Sequence, residues 1–151
     1  MDLVEGSSVV ITGAASGIGE GLARECVNRG LRVALADVET APLDALVDQL
    51  LAAGGTVTAG VVDVSDGAAV SAFAASVEAE FGCVDMVVAN AGVIGPRRPL
   101  WEQSAQDWEW IIGVNLLGVS NTWAPFLPTM VKRGTGHLVA TSSIAGLAPA
   151  M

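Results

Sequence analysis

Apolar residues fall in short continuous bursts, separated by stretches whose own apolar positions recur with a helical period. The bursts are Ser8–Thr12 (SVVIT), Arg32–Asp37 (RVALAD), Thr56–Asp63 (TVTAGVVD), Val84–Asn90 (VDMVVAN) and Gly136–Ser143 (GHLVATSS). Each is β-branched and lacks strict alternation, the pattern of strands buried on both faces of a parallel sheet. Between them, Leu43, Leu46, Val47, Leu50 and Leu51 form one helical stripe, with Thr40 a candidate cap and Gly54–Gly55 its stop. Val70, Phe73, Ala74 and Val77 form a second, starting near Ser65 or Asp66 and closed by Gly82. From about Ser104 to Arg133 the chain reads as mainly helical, with Trp108, Ile111, Ile112, Asn115 and Leu116 on one face. Pro125 and Pro128 should kink or interrupt that segment. Alternating strands and helices imply an α/β fold, a doubly wound parallel sheet built by right-handed crossovers, with residues 1–151 as a single domain.

Composition narrows the setting. Of 151 residues, 52% are apolar and 15% charged, enough to bury a real core and far from a disordered composition. No apolar run reaches membrane-spanning length. The opening MDLVEGSSVVITG is acidic and passes at once into a strand pattern, so no signal peptide is expected. A net charge of −9 disfavours nucleic acid and anionic membranes as partners. Cys26 and Cys83 lack metal-ligand spacing and read as two buried thiols, which leads to the expectation of a cytoplasmic protein without a metal site.

The first chemical motif is TGAASGIG, Thr12–Gly19, between the first strand and the first helix. Gly13 permits a tight turn, Gly17 lets a pyrophosphate approach the backbone, and Gly19 allows close helix–strand packing. An ordinary Gly-rich turn is the plainer alternative, and the strand-then-helix context favours the dinucleotide reading. Asp37 ends the second strand, twenty residues beyond Gly17, where a carboxylate can accept ribose hydroxyls and repel a 2′-phosphate. No Arg or Lys lies in the glycine motif or directly after Asp37, so NAD is favoured over NADP. Asp37 could instead merely cap the following turn, a role that Glu39 could share.

TGAASGIG, DV at Asp63–Val64, NAG at Asn90–Gly92, VN at Val114–Asn115 and SSIAG at Ser142–Gly146 occur in order across the chain. Together they resemble the classical short-chain dehydrogenases/reductases, which implies a Rossmann-type sheet, here its first five strands. The resemblance assigns Gly13, Ser16, Gly17, Ile18 and Gly19 to the pyrophosphate and nearby ribose, and Asp37 to the adenosine ribose. Asp63 and Val64 would flank the adenine, while Asn90, Ala91 and Gly92 support the cofactor; Ala89 stands where the family often has another asparagine. It also makes Ser143 the group that hydrogen-bonds the substrate oxygen, and Asn115 an organiser of a water and proton relay. The plainer alternatives are a Ser-rich strand end and a buried amide that stabilises a local helix irregularity. Strand alternation would turn Ser142 away from the site.

His137, the only histidine, lies at the opposite end of the strand from Ser143, ~20 Å away along extended chain. With no GxSxG elbow and no acid to orient the ring, a Ser–His hydrolase is disfavoured. GPRRPLWEQ, Gly95–Gln103, reads as a solvated linker, and a methyltransferase-like domain is disfavoured because NAG, VN and SSIAG have no place in it.

The family's proton donor is a tyrosine in a YxxxK helix, about a dozen residues after the serine, whose lysine tunes the phenol and binds nicotinamide ribose. The sequence contains no tyrosine, and Lys132 precedes the serine strand. The expected reaction is hydride transfer between NAD(H) and a small alcohol/carbonyl substrate, with little turnover by these residues alone. They read as an incomplete, C-terminally truncated family domain, or as a non-catalytic NAD-binding module. Family members are commonly homodimers or homotetramers, and an uncovered helix face and fifth strand should favour non-native self-association.

Overall fold

In the computed structural model of the protein, which describes residues 3–147, five strands form one parallel sheet in the order β3-β2-β1-β4-β5. The strands are β1 (Ser8–Thr12), β2 (Arg32–Asp37), β3 (Thr56–Val61), β4 (Met86–Ala89) and β5 (His137–Ala140). The helices are α1 (Gly17–Asn28), α2 (Thr40–Ala52), α3 (Gly67–Phe81), α4 (Ala105–Ile112), α5 (Gly118–Trp123) and α6 (Leu127–Arg133). All five expected strands are present, three of them shorter than the apolar bursts that signal them. The excess residues, among them Val62–Asp63, Asn90 and Thr141–Ser143, leave the ladder to build loops at the strands' C-terminal ends.

Continuous apolar strands serve two cores. Val9, Ile11, Val33, Leu35 and Val88 pack on the side that holds Leu43, Leu46 and Leu50 of α2 and Ala23 of α1. Val10, Ala34, Ala36 and Val87 face the opposite way, against Val70, Phe73 and Val77 of α3 and Phe126 and Met130 around α6. Adjacent residues of one strand thus enter different cores, which is why alternation is missing from the sequence.

Helix ends depart from expectation in places. Asp66 caps α3, accepting from the Ala68 and Ala69 N–H groups at 2.9 and 3.1 Å, as the sequence suggests. Thr40 does not cap α2; it is already the first helical residue and Glu39 precedes it without a side-chain cap bond. The 104–133 segment is not one helix. Ser104 and Asp107 form a capping box at α4, and a wide π turn over Gly113–Leu117 joins α4 to α5. Pro125 falls in the break before α6, and Pro128 sits in the first turn of α6, where its missing N–H is harmless.

The apolar stripe marked in that segment is also the outer one: Trp108, Ile112 and Leu116 are exposed. The inner face is made of Gly113, Val114, Gly118 and Thr122, all buried. Small residues win there because the backbones approach closely; a Cβ on Gly118 would stand 2.7 Å from Val64 Cγ2. At the opposite end of the sheet, Asp85 accepts from Ser8 N–H at 3.0 Å and from Arg133 at 2.8 Å, tying β1, the start of β4 and the end of α6 together. Partial burial acts to raise the Asp85 carboxyl, but the Ser8 N–H, the Arg133 guanidinium and the Ser8 hydroxyl outweigh it and hold the group below the usual carboxylate range.

Candidate functional site

Strand order reverses between β1 and β4, and a cavity of about 670 Å³ opens there, at the C-terminal ends of the strands. In doubly wound sheets this crevice is where ligands bind. Its near wall is the β1–α1 turn. Gly13 and Gly17 both have positive φ, +62° and +56°, which disfavours any residue with a Cβ. They differ in surroundings: a Cβ on Gly13 would meet Ala91 Cα at 2.7 Å, whereas one on Gly17 would meet nothing within 4 Å and would project into open space. Gly19 is needed for packing, since its Cβ would fall 2.1 Å from the Gly13 carbonyl oxygen. Ser16 stands at the N-cap of α1 without a side-chain cap bond, and with Gly17 and the exposed Ile18 it lines the cavity. The unpaired N–H groups of the first turn of α1 thus lie at the cavity wall.

The turn is held from three directions. Ala14 N–H donates to the Ala36 carbonyl at 3.2 Å, and Ala15 N–H donates to Asp37 Oδ2 at 2.8 Å. Asn90 Nδ2 donates to the Thr12 and Gly13 carbonyls at 3.0 and 3.1 Å. Thr12 Oγ1 in return accepts from the Asn90 and Ala91 N–H groups, and Thr141 Oγ1 donates to Asn90 Oδ1 at 2.9 Å. Asn90 therefore latches the glycine turn to β4 and to the end of β5. Sequence reasoning does not single out Thr12 and Thr141. The available signal is a threonine at each of two strand ends, which has no meaning until the ends are known to be neighbours.

Asp37 caps a turn and also faces the cavity. Oδ1 accepts from Glu39 N–H at 3.0 Å, which caps the turn into α2, while Oδ2 holds Ala15, and the residue lines the cavity with Val38 and Glu39. Across the cavity, Asp63 Oδ1 accepts from Ser65 N–H and Oγ, and Asn121 of α5 donates to the Val64 carbonyl at 2.9 Å, fixing the turn after β3. Trp110 of α4 also lines the cavity, a residue that sequence reasoning passes over.

A second cavity, about 400 Å³, adjoins the first and shares Asn90, Ala91, Gly92 and Thr141 with it. Ser143 and Asn115 both lie on its wall. Asn115 is exposed rather than buried, because the π turn lifts it from the inner helix face; its Oδ1 accepts from Val93 N–H at 2.8 Å and its Nδ2 donates to the Val93 carbonyl at 2.9 Å. The amide thus ties the π turn to the backbone of the segment after β4. The pleat expected to turn Ser142 away ends at Ala140, and both Ser142 and Ser143 line the cavity. Ser143 Oγ accepts from Ala145 N–H at 3.2 Å and starts a short helical turn over Ile144–Gly146. His137 is exposed at the far end of β5.

A glycine turn, a helix N-terminus and an acidic strand end around a switch-point crevice define a dinucleotide-binding sheet of the Rossmann type. The short chain dehydrogenase family model matches residues 7–151, and the chain belongs to that family. A probable oxidoreductase, EphD, of Mycobacterium tuberculosis is 40% identical over 142 residues, which are 93% of this chain and 24% of the relative. A short-chain dehydrogenase/reductase of Burkholderia phymatum, solved with NAD, is 42% identical with a TM-score of 0.95, covering 99% of this chain and 53% of that one. A metagenomic short-chain oxidoreductase solved with NADP is 35% identical with a TM-score of 0.92, covering 97% of this chain and 66% of that one. The chain thus spans about a quarter of the mycobacterial protein and about half of the Burkholderia one. Among the described residues, no helix is long and apolar enough to cross a membrane.

Proposed function

We propose that the chain carries the nucleotide-binding portion of an oxidoreductase that moves hydride between NAD(H) and a small alcohol or carbonyl substrate. The observation that carries this reading is the switch-point cavity, where Gly17, the α1 N-terminus and the Asp37 carboxylate converge. The open space facing Gly17 fits a pyrophosphate brought against the backbone. Gly13, Ser16, Gly17, Ile18 and Gly19 form that cradle; Asp37 takes the adenosine ribose; Asp63 and Val64 flank the adenine; Asn90, Ala91 and Gly92 support the cofactor from the end of β4. NAD is preferred over NADP because Val38 and Glu39 adjoin Asp37 and, among the described residues, no Lys or Arg lines the cavity, so a 2′-phosphate would meet carboxylates. This preference rests on those residues, since the solved relatives include both an NAD and an NADP complex.

When bound, the cofactor supplies the hydride donor or acceptor. Ser143 hydrogen-bonds the substrate oxygen in the second cavity, and Asn115 holds the Val93 backbone beside it and organises the relay. Proton transfer is the weak point: the 151 residues contain no tyrosine. That absence favours a second reading for the chain by itself, namely NAD binding without turnover, because loss of a positioned acid costs about 10²–10⁴-fold. We place the protein in the cytosol, a setting consistent with the free thiols of Cys26, which is buried, and Cys83, which is exposed rather than buried as the sequence suggests. We also expect self-association through the exposed Trp108, Ile112 and Leu116, which light scattering would reveal.

The test is calorimetric titration of the purified chain with NADH, alongside an NAD-dependent alcohol oxidation assay. Binding with negligible turnover supports both readings together. No binding at millimolar NADH overturns the cofactor site, and vigorous oxidation overturns the inactivity of the chain alone.

A further inference from the structure

Trp110 is a large indole, 48% exposed, on a helix whose inner face otherwise uses small residues. It differs from its exposed neighbours Trp101 and Trp108, because it alone of the three lines the 670 Å³ cavity. Its location within that cavity follows from the residues one turn further on. Gly113 lies against Ser65, where an added Cβ would come within 3.3 Å of the Ser65 Cβ. Val114 is buried in one cluster with Val62 and Val64. The face of the helix shared by Gly113 and Val114 therefore lies over the turn after β3, and Trp110, three and four residues earlier, continues that face one turn outward. The indole thus overhangs the Val62–Val64 end of the cavity, not the end near Asn90 and Thr141.

That end is walled by valines, with the Asp63 carboxylate as its acid. An apolar wall beside a half-exposed indole suits a planar heteroaromatic ring. We infer that Trp110 is the stacking platform for the adenine ring of the nucleotide, a positioning residue that fixes the base while Asp37 fixes the sugar. The inference rests on the proposed dinucleotide site and adds to it the residue that covers the base. Stacking of a base on an aromatic side chain is sequence-tolerant and substantial, so removal of the indole should weaken adenine-nucleotide binding by about 5- to 150-fold.

The test uses AMP and ADP-ribose, which share the adenosine and lack the nicotinamide. Calorimetry should show Trp110→Ala weakening both by that factor, with Trp110→Phe restoring most of the affinity. AMP should quench tryptophan emission of the wild-type chain, and Trp110→Phe should abolish the quench while still binding AMP, a signature that a merely structural role would not produce. Unchanged AMP affinity in Trp110→Ala, or a quench that persists in Trp110→Phe, overturns the platform and leaves the cofactor site standing. If the wild-type chain binds neither AMP nor ADP-ribose, the dinucleotide site falls and the platform with it.

Discussion

Two glycines of α1, two positions apart, should respond to alanine with opposite signs. At Gly19 the new methyl would lie 2.1 Å from the Gly13 carbonyl oxygen and 2.7 Å from Asn90 Nδ2. Relief requires α1 or the glycine turn to move by roughly an ångström, because ordinary van der Waals contact is ~3.5 Å. Overpacking of this kind costs typically ~1–3 kcal/mol. The same movement lengthens the Asn90–Gly13 hydrogen bond, now 3.1 Å, at a further cost of ~1 kcal/mol. Alanine recovers ~1 kcal/mol through helix propensity, leaving a net loss of roughly 1–3 kcal/mol. At Gly21, which is exposed, an added methyl would meet nothing within 4 Å, so only the propensity gain remains, about 0.4–1 kcal/mol of stabilisation. Urea unfolding followed by far-UV circular dichroism reads both; Gly19→Ala should lower the midpoint by about 0.5 M or more at a typical slope, and Gly21→Ala should raise it slightly. A Gly19→Ala midpoint equal to wild type would refute the close-packing role of that residue, as would a larger loss at Gly21.

Three further outcomes follow from the same geometry. Asp37→Ala should lower the NADPH-to-NADH dissociation-constant ratio by about tenfold or more, because a like-charge contact near ~4 Å costs several kcal/mol at a partly screened site; an unchanged ratio would leave Asp37 only its bonds to Ala15 and Glu39. Thr12→Val leaves the Asn90 and Ala91 N–H groups without their shared acceptor at a buried site and should cost about 1–3 kcal/mol in urea unfolding. Asp85 has its folded pKa held below the unfolded value, so its stabilisation is present above about pH 4 and is lost as pH falls through the folded pKa. Asp85→Asn should therefore be less stable than wild type at neutral pH by ~1–3 kcal/mol, and the gap should narrow below about pH 4 in acid titrations of stability.

The sheet is legible in the sequence because its strands are buried on both sides, which marks them as apolar runs in the chain. The glycine turn and Asp37 are legible for a similar reason: their chemistry is local, and residues 12–19 and 37 each stand at a strand end. What escapes detection depends on distant pairings. Thr12 meets Asn90 across 78 positions, and Thr141 meets Asn90 across 51. The 104–133 segment misleads for another reason. Over residues 108–118 the large apolar Trp108, Ile112 and Leu116 face outward while Gly113 and Gly118 face inward, so size and burial are inverted there relative to an ordinary amphipathic helix. Trp110 is passed over because it lies off that outward stripe, on the face it shares with Gly113 and Val114. Ser142 is misjudged because a four-residue strand ends before the alternation reaches it.

The Asn90 latch bears on the thermodynamics of ligand capture. A glycine-rich turn left to itself samples many conformations, and a ligand that had to freeze it would lose affinity to that ordering. Here Asn90, Ala36 and Asp37 already hold the turn in the shape that leaves its first-turn amides at the cavity wall. The cradle is preorganised, so little conformational entropy remains to be lost on association. Thr12, buried behind the turn and outside the cavity lining, thereby takes part in affinity: loosening it should raise the entropic cost of binding while the enthalpic contacts stay the same.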